Sequence, residues 1–136
     1  MKNKGFSLLE IIFSLLIISI LLTIGTTYFQ DTLSNSKKVE LKNDILKIQL
    51  GINTYKNNNL LKNEDPTLYE LEENENELFS NILQTPIKSS YDGWEKIDSN
   101  KYIYHINNIN LEFTYDTDNY LFLCDTTIEL CKEIIE

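Results

Sequence analysis

Hydrophobic and polar positions divide the chain into three differently patterned stretches. From Phe6 to Ile24 the sequence is almost continuously apolar, interrupted only by Ser7, Glu10, Ser14, Ser19 and Thr23. As a helix these 19 residues extend roughly 28 Å, close to the roughly 30 Å of a bilayer's hydrocarbon core. One membrane-spanning helix over 6–24 is the expectation. Further on, Leu41, Ile45, Ile48, Ile52 and Tyr55 are spaced four, three, four and three, with Lys42, Asn43, Lys47, Asn53 and Lys56 largely off that line. This is one stripe of an amphipathic helix, so the helix is expected to continue over 25–57 and lay its stripe on the chain's own domain. Asn57, Asn58 and Asn59 offer an end for it, because Asn tolerates the left-handed conformation of a helix cap.

The carboxyl-terminal stretch, 101–136, changes to a period of two. Ile109, Leu111, Phe113 and Tyr115 alternate with Asn110, Glu112 and Thr114, which predicts a strand with one buried face. Tyr102–Ile106 before it, joined through Asn107 and Asn108, makes a hairpin. Asp116 to Asn119 form a turn into a third strand, Tyr120–Cys124. The predicted fold is α+β: a long amino-terminal helix, membrane-spanning in its first half, packed on a small three-stranded antiparallel meander. Between helix and meander lies an acidic connecting region, 58–100. Glu64, Asp65, Glu70, Glu72, Glu73, Glu75 and Glu77 occur there without a Lys before Phe79, a composition of solvated surface or linker. Tyr69, Leu71, Leu78, Phe79, Ile82 and Leu83 suggest short turns that dock weakly, ending near Pro86. Trp94, after the Asp92-Gly93 turn, reads as a core or edge aromatic or, more sharply, as a recognition residue.

Composition narrows the function. A chain of 136 residues holds one domain, too small for most large enzyme folds. It has 12 Lys, no Arg and a net charge of -9, which disfavours direct nucleic-acid binding, since that affinity comes from clustered basic residues. Lys2 and Lys4 precede the apolar run and Asp31 is the first charge after it. The positive-inside rule therefore places the amino terminus in the cytoplasm and the remaining residues outside. A cleaved secretory signal and a plain signal anchor are the competing readings of the same segment.

Glu10 separates them. A carboxylate in an apolar helix is costly without a partner, and the run contains none. Cleavage between Gly5 and Phe6 would create an ammonium group at Phe6, one helical turn from Glu10 or from the Glu10 of a neighbouring helix. Lys4-Gly5-Phe6-Ser7-Leu8-Leu9-Glu10 followed by an apolar run resembles the prepilin peptidase motif of type IV pilins and of type II secretion pseudopilins. The resemblance implies a leader of residues 1–5 removed after Gly5, N-methylation of Phe6, and Glu10 setting register during filament assembly. It also implies partners: prepilin peptidase, other pilin or pseudopilin subunits and an inner-membrane assembly platform. Many such proteins carry a Pro after the first apolar stretch, where this chain has Gly25, Thr26 and Thr27.

Cys124 and Cys131 are the only cysteines, and in an extracytoplasmic domain they are expected to form a disulfide; many pilins close a carboxyl-terminal loop in this way. Free thiols are the alternative, and a zinc site would lack its His ligands. Asp116, Asp118 and Asp125 invite comparison with cation-binding loops of related pseudopilins, but an Asp-rich turn explains them equally, and no metal or cofactor is expected. His105 reads as a strand residue opposite Tyr104 and Ile106, without the nucleophile that catalysis requires. The expected function is therefore a non-enzymatic filament subunit; the alternative is a signal-anchored monomeric binding domain.

Overall fold

A computed structural model describes the backbone of residues 8–135 and the side chains of 8–25 and 34–134. The chain forms two units, Met1–Ser36 and Lys37–Glu136. In the first, helix α1 (Leu8–Leu61) begins, and Leu8–Gly25 is long and apolar enough to cross a membrane. The hydroxyls of Ser14, Ser19 and Thr23 donate to the carbonyls of Glu10, Leu15 and Ser19 at 2.8, 2.8 and 2.9 Å. These three hydroxyls are thus satisfied within the helix, as hydrocarbon surroundings demand.

In the second unit α1 ends at Leu61, four residues beyond the sequence-derived boundary at 57. Asn63 adopts φ 57°, and Asn63 N–H donates to Leu60 O while Glu64 N–H donates to Asn59 O. This is a Schellman closure, with Asn63, not the earlier Asn triplet, in the left-handed position. Strands β1 (Glu77–Leu78) and β2 (Ile87–Lys88) form a short antiparallel pair. Strands β3 (Trp94–Asp98), β4 (Lys101–Ile106), β5 (Ile109–Asp116) and β6 (Leu121–Cys124) form an antiparallel sheet in that order. Helix α2 (Glu129–Ile135) follows.

The sheet has four strands where the sequence pattern predicts three. Trp94 opens the additional one and pairs with Tyr104. The Asp92-Gly93 turn hid it, and within β3 only Trp94 is fully buried, so no alternation is visible there. Asn107 takes φ 53° in the β4–β5 hairpin. Tyr102, Tyr104 and Ile106 on β4, Leu111, Phe113 and Tyr115 on β5, and Phe122 and Cys124 on β6 point into the core. There they meet Leu41, Ile48 and Ile52, with Ile45 and Tyr55 at the margin, so the helix stripe covers the sheet as its spacing requires. An aromatic cluster fills the centre, with Trp94 and Phe113 centroids 4.8 Å apart and Phe79 edge-on to Trp94 at 5.6 Å.

The acidic stretch departs from its solvated reading. Leu68, Leu71, Leu78 and Phe79 are core residues, and Glu72 is only 2% exposed. Its carboxylate accepts from Lys96 Nζ at 2.7 Å, from Tyr102 OH at 3.0 Å and from the Phe79 N–H at 3.2 Å. A buried carboxylate is tolerated when so partnered. Charge counting along the sequence misses it because Lys96 lies 24 positions away.

Candidate functional site: the amino-terminal helix and the disulfide-closed domain

The functional residues inferred from sequence fall at opposite ends of the chain. Gly5 and Phe6 lie outside the described residues. Glu10 is in the first turn of α1 and exposed. Among the described residues no cation pairs with its carboxylate. Around it Leu8, Leu9, Ile11, Ile12 and Phe13 are also exposed, each by at least half. Such a surface fits membrane anchoring or helix packing.

A second exposed apolar line escaped the sequence pattern. Val39, Leu46, Leu50 and Leu61 are 63%, 62%, 67% and 83% exposed. At 100° per residue they fall within about 60° of one another, on the face of α1 turned away from Leu41, Ile48 and Ile52. Along the sequence Asn43, Asn53 and Asn57 interrupt this line, so it stands out less than the Leu41–Tyr55 stripe.

Cys124 and Cys131 form a disulfide with Cα atoms 5.8 Å apart, tying the end of β6 to α2. Cys131 is fully buried and Ile134 nearly so. At seven residues, helix α2 is too short to show a periodic signal in the sequence. Lys38 reaches Glu133 at 3.3 Å and Lys37 pairs with Asp92. Gln49 donates to Tyr120 O at 2.8 Å and accepts from Phe122 N–H at 2.9 Å. One amide on α1 thus occupies backbone groups of β6 and steadies Tyr120 at φ 61°.

Two of the three aspartates, Asp116 and Asp125, are spent on their own turns. Asp116 accepts from the N–H groups of Asp118 and Asn119 and from Asn119 Nδ2 at 3.0, 3.1 and 2.8 Å. Asp125 accepts from Thr127 N–H at 2.9 Å. Bonds from Asn119 and from Thr127 lower these two carboxyls below their ordinary range. Among the described residues no group of three His, Cys, Asp or Glu is arranged to hold a metal. His105, on the sheet face opposite Tyr104 and Ile106, sits 3.0 Å from Glu95 and 2.9 Å from Asn110. Trp94 is 1% exposed and donates its indole N–H to Asp44 at 3.1 Å; it is a core residue, and the exposed aromatic of that segment is Tyr91.

Residues 1–26 match the family model for the prokaryotic N-terminal methylation motif, the prepilin cleavage motif of type IV pilins. No curated protein and no solved structure matches the chain. The chain thus carries a pilin-type amino terminus on an α+β domain with a long amino-terminal helix, and that motif belongs to structural subunits processed by prepilin peptidase and assembled with other pilins.

Proposed function

We propose that the chain is a pilin-like structural subunit, a pseudopilin or minor pilin of a type II secretion, type IV pilus or DNA-uptake system. Prepilin peptidase removes residues 1–5 after Gly5, and the new amine of Phe6 is methylated, which keeps its charge. Before assembly the helix over 6–24 holds the protein in the inner membrane, with the amino terminus cytoplasmic and the disulfide-closed domain periplasmic. An assembly platform then draws it into the filament. Glu10 pairs there with the Phe6 ammonium of its own or an adjacent subunit, the desolvated charge pair supplying register. The remaining side chains have no catalytic task.

The observation that carries this reading is the methylation motif running directly into an exposed apolar helix whose Glu10 has no cationic partner among the described residues. The line of Val39, Leu46, Leu50 and Leu61 supports it, since a polymerising helix needs apolar surface beyond its membrane span. Two variants test it. Glu10→Ala should still lose its leader but fail to enter filaments, whereas Leu46→Lys should be processed normally, keep its domain fold and assemble poorly. Normal incorporation of both variants would contradict the proposal.

A further inference from the structure

Tyr91 is 91% exposed although the turn that carries it is firmly held. Ser90 N–H donates to Trp94 O at 2.9 Å and Gly93 N–H to Ser90 O at 3.2 Å. Lys37 pairs with Asp92, and Ser89 N–H donates to Asn76 O at 3.2 Å. An ordered aromatic ring is therefore presented to solvent without packing on anything. Beside it lies a concavity of about 240 Å³ lined by Asn76, Ser89, Ser90, Tyr91 and Glu95.

The lining is polar and largely unspent. Among the described residues the Asn76 amide, the Ser89 and Ser90 hydroxyls and the Tyr91 hydroxyl make no hydrogen bond within the chain. Glu95 is the exception: its Oε2 is 3.0 Å from His105 Nε2, and His105 Nδ1 is 2.9 Å from Asn110 Oδ1. This relay crosses β3, β4 and β5 and fixes the carboxylate at the edge of the concavity, leaving its other oxygen to accept. Supporting bonds of this kind orient a binding group before a ligand arrives.

We propose that this concavity binds a neutral polyhydroxylated ligand, one sugar ring of a glycan. The Tyr91 face stacks on the ring's C–H surface, the remaining Glu95 oxygen accepts from a ring hydroxyl, and Asn76, Ser89 and Ser90 supply the complementary donors and acceptors. An anion would meet Glu95 unfavourably, an apolar ligand would leave the lining unpaired, and a cation would use one carboxylate already engaged by His105. The volume is smaller than the cavities that hold drug-sized ligands, which limits the occupant to a single ring. His105 is a positioning residue for Glu95. The assignment is independent of filament assembly.

Amide NMR of the full chain in phosphocholine micelles, which carry no sugar headgroup, tests this with methyl glycosides of glucose, galactose and N-acetylglucosamine. At least one should produce saturable shifts confined to residues around 76 and 89–95, with an affinity in the millimolar range. Tyr91→Ala should abolish them while Tyr69→Ala, removing another exposed tyrosine, leaves them intact. His105→Leu should weaken binding about tenfold, and His105→Gln, which keeps an N–H for Glu95, should restore it. Absence of saturable shifts with all three glycosides, or undiminished binding by a folded Tyr91→Ala variant, would overturn the proposal.

Discussion

Lys96 Nζ lies 2.7 Å from Glu72 Oε1, with the lysine side chain 15% and the glutamate side chain 1% exposed. This pair fastens the acidic stretch to β3. Because Glu72 also accepts from Tyr102 and from the Phe79 N–H, it holds Phe79 at φ 62°, a conformation that a bulky residue adopts only when its surroundings impose it.

Removing one partner strands the other's charge. Lys96→Met should therefore destabilise the domain by about 3 kcal/mol or more, read from urea denaturation of the full chain in micelles. Hydrogen exchange should accelerate first over residues 68–83. A loss below about 1 kcal/mol, the range of a surface ion pair, would contradict the buried-pair reading.

Two tyrosines on adjacent strands should respond oppositely to the same change. Tyr102→Phe removes a donor from buried Glu72 and should cost about 1–3 kcal/mol. Tyr115 is equally buried, but among the described residues its hydroxyl has no hydrogen-bond partner, so Tyr115→Phe should be neutral or stabilising. Equal losses in the two variants would refute this distinction.

The same tyrosines set a limit at alkaline pH. Burial pushes Tyr104 and Tyr115 up to about 12, and burial with the neighbouring Glu72 carboxylate raises Tyr102 further. The folded state thus holds protons that the unfolded chain releases near pH 10. Their stabilisation is complete below about pH 10 and declines as pH rises through 12. The phenolate absorbance of these three should appear only together with unfolding. Reversible ionisation of all the tyrosines near pH 10, with the fold intact, would contradict it.

Gly51 tests the packing of α1. A Cβ added there would stand 2.7 Å from Ile82 O and 3.1 Å from Ile82 Cβ. Alanine ordinarily improves a helix interior by about 1 kcal/mol over glycine. Here Gly51→Ala should instead cost about 1–3 kcal/mol by forcing Ile82 away. A higher melting temperature for the variant would show that this contact yields freely.

What was legible in the sequence were patterns that repeat over short distances. The apolar block, the Leu41–Tyr55 stripe and the alternation in β5 each encode burial locally, and the Gly5-Phe6-Glu10 motif sits within six positions. What escaped depends on distant partners. Glu72 is buried because of Lys96 and Tyr102, and β3 exists because Trp94 pairs with Tyr104 and packs on Phe79. The helix α2 is brief and anchored by Cys131 to β6. The exposed line through Val39 and Leu61 is not legible locally, because one amphipathic stripe suffices to place a helix and nothing local distinguishes a second face awaiting a partner from ordinary surface.

In the proposed function, proteolysis supplies the counter-charge for Glu10. Mass spectrometry of the amino-terminal peptide of protein recovered from its own cells measures this directly. A chain beginning at Phe6 with one added methyl group on its nitrogen is expected. A chain still beginning at Met1, or one beginning near Thr27, would contradict it.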